Sequence, residues 1–154
     1  MTFKSVLDID CGIRFLYDKL PLSSSSARKM LLESEAMKSK RDIDIRYSKL
    51  NALYNKNCGD IAGKLVCLKD ISATIRRTGE GAVLDDIELF EIKYLAIVAR
   101  EVSQLMEKER IAVVNLPDLS DVIEILDPDS LNIPSFYIYD SYSEELAEVR
   151  KRMK

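Results

Sequence analysis

DIELFEIKYLAIVAREVSQLMEKE, residues 86–109, decides the fold class. Ile87, Phe90, Tyr94, Ile97, Val98, Val102, Leu105 and Met106 recur every three or four residues, the period of a helix with one broad apolar face. Asp85 and Glu88 supply a capping-box variant at the front. A helix of this length needs other helices to cover it, and the flanking sequence supplies them. Ile61 to Arg77 places Leu65, Leu68, Ile71 and Ile75 at helical spacing before Gly79-Glu80-Gly81 forces a turn. On the other side, Leu119, Val122, Ile123 and Leu126 form one short helix, closed by Asp127-Pro128.

Further out, Ile9, Ile13, Leu16 and Leu20 draw a helical stripe that Gly12 interrupts and Pro21 ends. The run Ser23–Ser26 is a polar connection whose later serines can cap a helix holding Ala27, Met30 and Leu31. From about Ser39 a longer helix carries Ile43, Tyr47, Leu50 and Tyr54, with Asn57-Cys58-Gly59 as its stop. Ile111–Val114 reads as a short strand or a helix tail. Phe136-Tyr137-Ile138-Tyr139, after Pro134, reads as a short strand. The expected architecture is mainly α: a multi-helix core domain with at most a short β element near residues 136–139 and a lever-type helix at the C-terminus. That division puts the core at residues 1–140 and the start of the longer helix at 141–154.

The last helix opens at Ser141-Tyr142-Ser143-Glu144, which has capping-box spacing. Leu146, Val149 and Met153 follow as a narrow seam of the kind one helix shows to another. No Gly, Asn or Pro follows, so the helix is expected to run on past Lys154.

Bulk composition narrows the chemistry. The chain has 154 residues, 47% hydrophobic and 32% charged, with a net charge of −3, which suits an ordinary globular domain. That balance argues against a strongly basic freestanding nucleic-acid binder and leaves contact through a patch open. Cys11, Cys58 and Cys67 are odd in number and lack metal-ligand spacing, so reduced thiols in the cytoplasm are expected. No signal peptide is recognisable and no apolar run approaches a membrane span. Histidine is absent. Ser-His-Asp and Cys-His nucleophilic sites and His-containing zinc sites therefore cannot be built.

Each remaining motif has a simpler reading. Gly59-Asp60-Ile61-Ala62-Gly63-Lys64-Leu65 is one residue short of a phosphate loop and has Leu65 where a hydroxyl should hold magnesium. It reads as a helix-to-helix turn. Asp85, Asp86, Glu88 and Glu91 fit the positive end of a helix dipole. Lys38, Lys40, Arg41 and Arg76-Arg77 read as solvated surface. Arg150, Lys151 and Arg152 are the cations kept as candidate phosphate contacts. The aromatic run 136–142 could stack on bases, but a strand packed on helices explains it more simply.

Several stretches together resemble the MutS family of DNA mismatch-recognition and recombination-control ATPases, in their helical core and the start of their lever. Phe136–Arg150 carries most of the likeness. In the recombination-control branch a similar strand leads through Asp-Ser-x-Ser, here Asp140-Ser141-Tyr142-Ser143, into a helix with Leu and Arg at this spacing. Leu20-Pro21, the serine run and Ala27-Arg28 are similar to the entry of that core. Leu84-Asp85-Asp86-Ile87-Glu88-Leu89 resembles its L-x-x-x-E-L helix start. The mismatch-reading Phe-x-Glu element, the Walker motifs and the ATPase domain are missing from this sequence.

The resemblance implies a non-catalytic fragment of a DNA-dependent ATPase. It would have no cofactor of its own, while the parent would use ATP and magnesium. Its partners would be the rest of that parent (lever, clamp and ATPase domain), with DNA reached through the full-length protein. The Leu146/Val149/Met153 seam would pack on a returning lever helix. The alternative is a self-contained helical interaction module that dimerises or binds a partner through that seam.

Overall fold

The computed structural model describes every residue except Met1, Ser23, Asn55, Asn132, Pro134 and Lys154, and leaves the Cys11 side chain undescribed. Ser23 of the serine run, Pro134 before the aromatic segment and Lys154 of the basic tail therefore lie outside the described residues. The chain is mainly α, with nine α-helices and one 3₁₀ turn among the described residues. It packs as two compact units, residues 1–70 with 105–115, and residues 71–104 with 116–154.

The first unit holds α1 (Phe3–Leu7), α2 (Cys11–Lys19), α3 (Ser25–Glu33), α4 (Lys40–Tyr54) and α5 (Gly59–Val66). The expected first helix is broken in two because the Asp10 carboxylate caps α2, accepting from the Gly12 and Ile13 amides. That cap stops α1 from running through and leaves Ile9 exposed instead of on a buried stripe. The chain turns extended at Leu20, before Pro21, and Ser24 caps α3 through the Ala27 amide. An antiparallel bridge pairs Thr2 with Glu35, and α1 contacts both α2 and α3.

Gly59 starts α5 rather than ending α4, so the phosphate-loop look-alike is helical from Gly59 to Val66. Its amides are turned into helix hydrogen bonds, not into a cradle; the Ala62 amide, for one, donates to the Cys58 carbonyl. The single helix expected over 61–77 is likewise two, interrupted at 67–71.

The second unit holds α6 (Ser72–Gly79), α7 (Asp86–Lys108, whose last turn belongs to the first unit), α8 (Ser120–Leu126), the turn Asp140–Tyr142 and α9 (Glu144–Arg152). Helix α6 ends in a Schellman motif. Gly81 takes φ +82°, the Ala82 amide reaches Arg77 O and the Gly81 amide reaches Thr78 O. The capping box of α7 is reciprocal: Glu88 N–H donates to Asp85 Oδ1 (2.7 Å) and Asp85 N–H to Glu88 Oε2 (3.2 Å). Arg77 ties α6 to the same carboxylate at 2.7 Å.

At its other end α7 stops on a second Schellman pattern, with Arg110 at φ 54° and the Ile111 amide on Met106 O. Beyond it, 111–114 is neither strand nor helix. Residues 136–139 are likewise neither strand nor helix and join no ladder among the described residues, so the short strand expected there does not form.

The face of α7 is wider than the pattern suggested. Val98 and Val102 are buried as expected, but Ile87 is exposed, and Lys93 and Ala96 are buried instead. Lys93 and Val102 lie nine residues apart, two and a half turns, and so on opposite sides, yet both are buried. The helix is covered on several sides, which a one-face reading does not anticipate.

Candidate functional site

The most deeply buried polar cluster among the described residues joins α7, the end of α8 and the segment leading to α9. Lys93 is 1% exposed, Asp127 2% and Tyr139 0%. Lys93 Nζ donates to the carbonyls of Ile133 (3.1 Å) and Ser135 (3.3 Å). It lies 3.7 Å from Asp127 Oδ2, an ion pair rather than a hydrogen bond. The other carboxylate oxygen of Asp127 accepts from the Leu131 amide (3.1 Å) and from the Tyr139 hydroxyl.

The second unit therefore buries a cation and an anion together, each with additional hydrogen bonds, the arrangement that makes a buried pair tolerable. Burial, and then the Asp127 carboxylate, push the Tyr139 phenol above the ordinary tyrosine range. Burial moves Tyr142 in the same direction.

Around this node the aromatic run is stacked edge to face, Tyr137 on Tyr139 and Tyr139 on Tyr142, with centroids 5.3 and 5.7 Å apart. Tyr142 also donates to Ile125 O on α8. The turn at Asp140–Tyr142 displaces the expected cap by two residues. Ser143, not Ser141, caps α9, accepting from the Leu146 amide at 3.3 Å.

Helix α9 is then fastened at its far end. Arg150 Nη1 donates to Ile138 O (2.8 Å) and Asp140 Oδ1 (2.5 Å), and its guanidinium lies 4.8 Å from the Tyr137 ring centroid. The Asp140 contact holds the Arg150 pKa above its usual value.

These contacts distribute the candidate residues. Arg150, marked as a phosphate contact, is engaged within the chain and fastens α9. Arg152 pairs with Glu148 on the same helix at 3.1 Å, and Lys151 is exposed. Of the seam, Leu146 is half-buried, while Val149 is 49% and Met153 82% exposed. Of the acidic residues at the front of α7, Asp85 and Glu88 form the capping box and Glu88 also pairs with Arg77. No group of three metal-ligating side chains comes together among the described residues, and no described helix is long and apolar enough to cross a membrane.

Lys93 and Asp127 escaped the sequence reading. A lysine inside Ile92-Lys93-Tyr94-Leu95-Ala96 and an aspartate before proline both have ordinary explanations. The available signal was a lysine flanked by apolar residues on both sides, Ile92 before it and Tyr94-Leu95-Ala96 after it. The chain matches no family model, no curated protein and no solved structure.

Proposed function

We propose that this chain is the helical core and the root of the lever of a MutS-like DNA-binding ATPase, non-catalytic in itself. The observation that carries the reading is the fastening of α9. Phe136–Arg150, the stretch that bears the resemblance, forms one continuous device: aromatic segment, tight turn, serine cap, helix, and an arginine closing back on Ile138 and Asp140. A lever transmits motion only if its root moves with the body that drives it. Buried Lys93 and Asp127 tie that root to α7 and α8. On this reading the exposed Val149 and Met153 face a returning helix of the parent, and ATP and magnesium belong to the parent's ATPase domain.

The same two exposed side chains favour a second reading, a module that dimerises through α9. Reading the natural gene past codon 154 separates the two. A continuing frame with a charged helical segment, then a buried strand and G-x-x-x-x-G-K-[ST], supports the lever. A stop codon after Lys154, with a dimer in sedimentation that Met153→Glu dissolves, supports the module.

A further inference from the structure

The net charge of −3 conceals a division. The first unit carries fifteen basic against eleven acidic residues, and the second eight against fifteen. The basic excess is concentrated around α4. Residues 38–56 hold Lys38, Lys40, Arg41, Arg46, Lys49 and Lys56 against only Asp42 and Asp44. None of these six cations forms an ion pair among the described residues.

Helix α4 also has no buried residue along its length. Tyr47 is 66% and Tyr54 86% exposed, with Leu50 open between them. Seven residues separate the two rings, so they stand on one face roughly 10.5 Å apart along the axis, about three base steps. Helical geometry puts Lys40 and Arg46 close beside this stripe. Unpaired cations interleaved with exposed aromatic faces are the two ingredients of sequence-tolerant single-strand binding, one for the phosphates and one for the bases.

We infer that the α4 face, with Tyr47 and Tyr54 as stacking platforms and Lys40 and Arg46 as phosphate contacts, binds single-stranded nucleic acid. A second copy or a partner helix would be met by the same excess of six cations over two carboxylates, whereas a polyanion is matched by it. The inference rests on the first unit alone and does not depend on the MutS-like reading.

The test is fluorescence anisotropy of the full chain with a labelled twenty-nucleotide oligo-dT strand, with the matching duplex and heparin as competitors. Binding is expected to favour the single strand. The slope of log K against log salt should be about −1.4, as for two phosphates neutralised. Tyr47→Ala and Tyr54→Ala should each weaken binding about five- to hundredfold, the corresponding Phe variants should retain it, and Lys40→Glu with Arg46→Glu should abolish it. Circular dichroism checks that each variant keeps its helices. Three results overturn the inference: no binding at 50 mM salt, equal binding of duplex and heparin with no effect of the tyrosine variants, or a dimer in sedimentation that Tyr47→Ala dissolves, which would give the face to a second copy.

Discussion

Replacing Asp127 with alanine is the sharpest test of how the second unit is held together. The substitution removes three relationships at once. Lys93, 1% exposed, loses its counter-charge 3.7 Å away, and the Tyr139 hydroxyl and Leu131 amide lose their acceptor. Removing one partner of a buried pair costs about 3–5 kcal/mol, because the other charge stays buried. Lys93 keeps two carbonyls, so the lower part of that range applies to the charge, and the orphaned donors add about 1 kcal/mol or more. The expected loss is about 4 kcal/mol, a large share of the ~5–15 kcal/mol typical of a domain.

The partner change Lys93→Met removes the cation but leaves Asp127 two donors, and should cost less, about 2 kcal/mol. The double variant should cost clearly less than the two single losses combined, with a coupling of about 1.5 kcal/mol or more. The assay is urea unfolding followed by near-ultraviolet circular dichroism, which reports the packed tyrosines. An Asp127→Ala cost under about 1 kcal/mol, or strictly additive losses, would refute the reasoning, since a truly desolvated pair cannot behave that way.

Four further outcomes follow from the same contacts. Tyr139 should resist alkali: its folded pKa is raised, so its contribution to stability is complete below the unfolded value of about 10 and is lost as the pH rises toward the folded one. Absorbance titration at 295 nm should show a late-titrating tyrosine that vanishes in Tyr139→Phe. Arg110, at φ 54°, occupies a conformation that glycine takes without penalty, so Arg110→Gly should gain about 0.5–1 kcal/mol, read as a higher melting temperature. Asp85→Ala removes the cap of α7 and should cost about 1 kcal/mol in urea unfolding, whereas Asp86→Ala, which has no part in that box, should cost much less. Met153, 82% exposed, should tolerate Met153→Gln with no change in the stability of the monomeric chain.

Local signals in the sequence carried the helices, because caps and periodicity are local physics. Asp85 with Glu88, Gly79-Glu80-Gly81 and the residues around Pro21 do in the fold what their types dictate. Errors arose where two local signals competed. Gly59 could stop one helix or begin the next, and the Asn57 carboxamide, accepting the Gly59 amide at 3.3 Å, favours the beginning. Ser141 and Ser143 both offered a cap for α9, and the aromatic packing of Tyr139 with Tyr142 draws residues 140–142 into a tight turn, leaving Ser143 to cap. The β-branched, aromatic segment 136–139 forms no strand, because no neighbouring strand pairs with it among the described residues.

The candidate site was less legible than the fold. Its resemblance-bearing residues were visible, but the Lys93–Asp127–Tyr139 node links positions 34 and 12 residues apart in the chain. Pairing at that range depends on which faces meet, and periodicity does not encode it. Arg150 shows the same limit. As a sequence residue it was one of a basic cluster, and only the folded chain reveals that Asp140, Ile138 and Tyr137 already engage it.

The central claim is that α9 is rooted rather than loosely attached. A nine-residue helix is marginal in water by itself, so protection of its amides must come from the contacts that fasten it. Hydrogen exchange at the amides of residues 148–153 tests this directly, in the native chain and in Arg150→Ala. Protection in the native chain that falls at least tenfold in the variant, with α7 unchanged, is the predicted result. Equal exchange in both, at the rate of a frayed end, would contradict the lever root.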